Sequence, residues 1–78
     1  MTKGDKLNMV NGIIGLLREA EFYEGAISHA SYAKGMIAML MADGTLEAGE
    51  WTALYEEIES ILKPKYKLKS ITEQGAPF

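Results

Sequence analysis

The sequence predicts an all-α fold, a small three-helix bundle closed by a short extended C-terminal tail, and three observations carry that prediction. Trp51, Leu54, Tyr55, Ile58, Ile61 and Leu62 recur at i, i+3, i+4, i+7, i+10 and i+11, the spacing of one helical face. Asp43-Gly44 separates that face from an earlier apolar segment, as the turn of a helical hairpin centred on residues 43–47 would. Pro64 then ends the pattern, because the residue before a proline is pushed out of the helical region. This divides the chain into a helical domain over residues 1–63 and an extended or flexible basic tail over 64–78.

In helix 1, Asp5 is suited to the N-cap. From Leu7 onward the apolar residues, taken at 100° each, fill a continuous arc of about 180° from Leu16 through Met9, Ile13, Val10 and Ile14 to Leu7. A surface helix usually shows a stripe of roughly 100°, so this helix should touch two neighbours and leave surface for a second copy of the chain. Gly12 and Gly15 on its opposite side each cost about 1 kcal/mol relative to alanine inside a helix. Close approach of another backbone or an interruption would account for them. The Gly12-Ile13-Ile14-Gly15 spacing also matches a phosphate-clamping loop, but two isoleucines suit a helix better than a phosphate.

Gly25 is suited to the C-cap of helix 1 and Ser28 to the N-cap of helix 2, which then runs to about Ala42. Along it, Tyr32, Met36, Ile37, Met39, Leu40 and Met41 alternate with Ala30, Ala33, Gly35 and Ala38. Gly44 closes this helix, and Thr45 or Glu47 opens the next. Glu47 and Glu50 sit where the positive end of the helix dipole favours acids, while Glu56, Glu57 and Glu59 fall on the solvent side of helix 3. After Pro64, Lys65 to Ile71 alternates polar with apolar residues, the pattern of a short extended segment.

The turn at Asp43 carries the second half of an EF-hand loop. With Asp43 and Gly44 at positions five and six, Leu46 is at eight and Glu50 at twelve. Positions one and three hold Met39 and Met41, soft thioethers where calcium takes hard oxygens. No metal is expected. The same Asp43-Gly44-x-Leu46-x-x-x-Glu50 string resembles the metal-free, EF-hand-like helical hairpin of the tellurite-resistance B family. That resemblance spans eight residues and implies architecture alone.

At 78 residues the chain is one domain, in the size range where oligomerisation often supplements a small core. It has no cysteine, which fits a reducing compartment. The longest apolar run, Met36 to Ala42, is far short of the roughly 20 residues that span a bilayer. Asn8, Asn11 and Arg18 break any signal-peptide core near the N-terminus. A cytoplasmic protein without membrane contact is expected. Its net charge of −3 divides unevenly, since the four lysines after residue 62 leave a basic tail on an acidic body.

Catalytic constellations are lacking. His29, the single histidine, has serines beside it but no third orienting group at a useful spacing. Glu21/Glu24 and Glu56/Glu59 share helix faces at i, i+3, yet no histidine completes a Glu-x-x-His metal motif. No catalytic residue, cofactor or metal ligand is assigned. The expected function is therefore a protein-interaction module, of the kind found among bacterial or bacteriophage accessory and inhibitor proteins, and a homodimer or larger. Glu19, Glu21, Glu24, Glu56, Glu57 and Glu59 would meet a basic partner protein. The alternative is a small nucleic-acid-associated regulator that reaches phosphate with Lys63, Lys65, Tyr66, Lys67 and Lys69. A third reading is a small-ligand pocket lined by Trp51 and the methionines.

Overall fold

A computed structural model describes residues 1–70 as three helices: α1 (Lys3–Glu19), α2 (Tyr23–Ala42) and α3 (Ala48–Lys65). Each packs on the other two, with α2 in the middle. The core is apolar throughout. Val10, Ile14 and Leu17 of α1 meet Ile58 and Leu62 of α3 across the small side of α2, where Ala26, Ala30 and Ala33 precede Ile37 and Leu40. Three alanines at helical spacing let both neighbours approach closely, and Leu46 plugs the end of the bundle from the α2–α3 connection.

The predicted hairpin forms where expected. Gly44 has φ +82°, the one positive φ among the described residues, and Glu47 caps α3 in a reciprocal box with Glu50. Four local expectations are corrected. Thr2, not Asp5, is the N-cap of α1: its hydroxyl accepts from the Asp5 N–H, and the Asp5 carboxylate accepts from the Thr2 N–H. Asp5 serves the same box from its third helical position.

The α1–α2 corner is also shorter than predicted. Helix α1 ends at Glu19, and Ala20 and Phe22 turn the chain in extended conformations, with no left-handed glycine. Gly25 and Ser28 therefore lie inside α2, and His29 is half-buried in its second turn. The reason is the stripe Ala26, Ala30, Ala33, Ile37, Leu40: burying Ala26 requires helix before Ser28.

Finally, Pro64 sits inside the last turn of α3 rather than ending it. A proline this near a C-terminus loses a single hydrogen bond. The chain beyond then turns back: the N–H groups of Lys67 and Leu68 donate to the carbonyls of Pro64 and Lys65, and the Tyr23 N–H donates to the carbonyl of Lys69. Ile71 to Phe78, the rest of the expected tail, lie outside the described residues. Among the described residues no helix is long and apolar enough to cross a membrane.

Helix α1 meets two neighbours, as its wide arc predicts, but the arc is not wholly covered. Leu7, Ile13 and Ala20 pack against the core, whereas Met9 and Leu16 stay largely exposed. A Cβ built on Gly12 or Gly15 would meet nothing within 4 Å, so no close approach inside the chain explains either glycine.

Candidate functional site

Two surfaces stand out, one on each side of α2. The first is a shallow groove of about 670 Å³ along the outer side of α3, lined by Trp51, Thr52, Tyr55, Glu56, Glu59, Ser60, Lys63 and Tyr66. Its aromatic residues follow from the helical stripe, whose edge lies at the rim of the core: Ile58 and Leu62 are buried, while Trp51 and Tyr55 are half-buried. The Trp51 and Tyr55 rings meet edge to face at 5.4 Å, and Tyr66 packs on Tyr23 at 6.4 Å. The Tyr55 hydroxyl donates to the Lys34 carbonyl, and the Lys34 ammonium donates to Glu59. Glu56 is exposed and makes no ion pair among the described residues.

The six acids singled out from the sequence are thus divided. Glu56 and Glu59 line the groove. Glu57 points to the other side of α3 and pairs with Arg18 of α1. Glu19, Glu21 and Glu24 gather at the α1–α2 corner, where the Ser70 hydroxyl donates to Glu24. The basic residues are divided too. Lys65 donates to the carbonyls of Arg18 and Ala20 at 2.7 and 2.9 Å, satisfying carbonyls left open at the end of α1. The side chains of Lys63, Lys67 and Lys69 are exposed and make no ion pair among the described residues.

At the hairpin, each surviving EF-hand-type carboxylate faces a lysine of α1. Lys6 donates to Asp43 and to the Thr45 hydroxyl, and Lys3 pairs with Glu50 at 2.8 Å. Hydrogen bonds from Thr45, then the Lys6 ammonium, hold Asp43 below its ordinary pKa. The Glu47 N–H, then Lys3, does the same for Glu50. Among the described residues no group of three or more His, Cys, Asp or Glu side chains could hold a metal ion.

The second surface gathers methionines as the small-ligand reading expected, but without Trp51, which lies in the α3 groove; among the described residues the joint pocket is not formed. Met1, Met9, Met36 and Met39 line a depression of about 510 Å³ between the start of α1 and the end of α2, rimmed by Lys6 and Asp43. Leu16 and Tyr32, both exposed, carry apolar surface further along the same two helices. Periodicity marks these side chains as apolar but not which of them the other helices leave uncovered. One signal was available: between Glu24 and Asp43, helix α2 has a single charged residue, Lys34.

Comparison with known protein families, with characterised proteins and with solved structures found no match.

Proposed function

We propose that this chain is a protein-interaction module whose α3 groove receives a basic segment of a partner protein. The observation that carries the reading is the row of half-exposed and exposed rings, Trp51, Tyr55 and Tyr66, set beside Glu56 and Glu59. Aromatic faces attract lysine and arginine cations by about 0.5–1 kcal/mol at exposed sites, and neighbouring carboxylates add charge-assisted hydrogen bonds. Trp and Tyr are also the residues on which binding energy concentrates at interfaces. On this reading the protein is not an enzyme, and it acts by occupying a surface of its partner, as accessory and inhibitor proteins of bacteria and bacteriophages do.

Selection from a random displayed-peptide library tests it. Basic sequences should be enriched on the native chain and lost on Glu56→Arg, which lies on an exposed helix position. Enrichment of acidic sequences, or of the same sequences on Glu56→Arg, refutes the groove assignment.

A second reading has its own observation, the three exposed lysines Lys63, Lys67 and Lys69 close to Tyr66. Fluorescence anisotropy with short oligonucleotides distinguishes the two. Dissociation constants below about 1 µM, tighter than ordinary non-specific binding, favour the nucleic-acid regulator. Weaker binding is expected, because Glu56 and Glu59 share the groove with Lys63 and repel phosphate.

A further inference from the structure

The outer face of α2 breaks the rule that the solvent side of a surface helix is charged. From Ser28 to Ala42 that face presents Ser31, Tyr32, Gly35, Ala38 and Met39, all exposed and all uncharged. Tyr32 is 61% and Met39 71% exposed, and beside them on α1 Met9 and Leu16 are 46% and 47% exposed, with Met1 82% exposed at the end. At roughly 200 Å² for a large side chain, the aromatic range, these five alone present about 600 Å². That is the upper end of the largest apolar patch on an ordinary monomer, and most of the roughly 800 Å² each partner contributes to a standard interface. The small residues between them supply the remainder.

We propose that a second copy of this chain covers this surface, its α2 running antiparallel to the first about a two-fold axis at Gly35. Two properties of the face select that occupant. Its α2 stripe carries no charge, and the two charged side chains at its end, Lys6 and Asp43, are already paired with each other, so packing the stripe on itself desolvates no unpaired side-chain ion and sets no like charges opposite each other, in contrast to the acidic remainder of the body. It is also complementary to itself. With Gly35 on the axis, residue 39 lies opposite the partner's residue 31 and residue 32 opposite its residue 38, so each bulky side chain meets a small one: Met39 on serine, Tyr32 on alanine. A parallel pairing would set tyrosine on tyrosine and methionine on methionine, with gaps between, against the close packing that interfaces share with interiors.

Gly35 differs from Gly12 and Gly15, which are equally open, only in lying at the centre of this uncharged stripe. Its φ is not positive and a Cβ there meets nothing within 4 Å, so alanine would fit the single chain and favour the helix. In the proposed seam its missing side chain lets the two helices approach closely on the axis. The sequence had placed self-association on helix 1; here α2 forms the seam and α1 contributes its edge through Met9 and Leu16. This inference does not depend on the α3 groove, which stays open on the other side of α2.

Sedimentation equilibrium of the full chain, with site-directed cross-linking, is the test. The native protein should move from 8.6 kDa towards twice that mass as concentration rises through the micromolar range. Gly35→Arg should remain monomeric there, with a melting temperature at high dilution no lower than that of the native chain. Because the chain has no cysteine, Ser31→Cys and Met39→Cys can be introduced singly into the native background. Mixed, they should form a disulfide with each other. Alone, neither should cross-link, since like residues would sit about 12 Å apart at 1.5 Å per residue, beyond disulfide reach. A mass of one copy at every concentration would give the face to residues 71–78 or to another protein, and would overturn the proposal. So would a dimeric Gly35→Arg, or cross-linking of each single variant to itself.

Discussion

Two outward helix faces flank α2 in this bundle, and they meet water in opposite ways. The groove along α3 is edged by Glu56, Glu59 and Lys63, and it is tied to α2 by the Lys34–Glu59 contact and by the Tyr55 hydroxyl, which donates to the Lys34 carbonyl. The face of α2 and α1 has Met39, Tyr32, Met9 and Leu16 and no charge between Ser28 and Ala42 on its exposed side. Both belong to helices of similar length packed on the same core. Helix α2 carries more apolar surface than its own bundle buries, whereas the rings of α3 are half-buried and edged by charge.

The comparison rests on a shared core, and the largest expected effect tests that. Ile37 lies beneath the α2 face and Ile58 beneath the α3 groove, both fully buried. Each change to alanine should cost about 2–5 kcal/mol, measured by urea unfolding at a concentration where the chain is monomeric. Both variants should lose both surfaces together. Retention of either surface in an unfolded background would mean that the faces are independent units.

The connection between the two helices comes next. Gly44→Val should destabilise by more than 1 kcal/mol, because a β-branched residue at φ +82° is strained. Gly12→Ala has the opposite sign and should stabilise by up to about 1 kcal/mol, since its Cβ enters open space in an ordinary helix. Thermal melting of the pair separates a glycine required by the backbone from one that is not.

Smaller still, Lys65→Met removes the donor to the last carbonyls of α1 and should cost about 0.5–1.5 kcal/mol. Lys67→Met and Lys69→Met should leave stability within about 0.5 kcal/mol. That contrast separates one lysine that closes α1 from others whose side chains are exposed.

Acid titration gives the weakest effect. Asp43 and Glu50 are held below their ordinary values of 3.8 and 4.5 in the folded chain. The unfolded chain therefore takes up these protons first as pH falls. Their stabilisation is complete above about pH 5 and declines as pH drops through 4.5 and 3.8 and below. Both groups are exposed, so the decline should be shallow, and Lys3→Met with Lys6→Met should flatten it further. A stability that rises on acidification over this range would contradict the hairpin contacts.

Much of the fold was legible because its signals act over three or four residues. The spacing of Ile58 and Leu62 and the turn at Gly44 each depend on chemistry inside one turn, and each is where the sequence puts it; of the two starts open to α3, Thr45 and Glu47, the reciprocal box with Glu50 selects Glu47. Where local signals competed, hydrogen bonding settled the cap of α1 and packing settled the α1–α2 corner. Thr2 and Asp5 both suit a cap and share one; Gly25 and Ser28 suit helix ends but lie inside α2, because burial of Ala26 outweighs them. Pro64 is tolerated for the same reason, one hydrogen bond being small beside the burial of Leu62 in the preceding turn.

The sequence by itself determined that the chain is three apolar-faced helices with a hairpin at Gly44 and a basic end. Only the tertiary structure decided that Lys3 and Lys6 stand against Glu50 and Asp43, that Lys65 closes α1, that Glu56 and Glu59 join Trp51 and Tyr55 while Glu57 does not, and that Met9, Leu16 and Met39 remain uncovered. The physical reason is range. Periodicity states how wide an apolar arc is, but which part of that arc meets water depends on where helices some 30 residues away come to rest, and that is a property of the packed core.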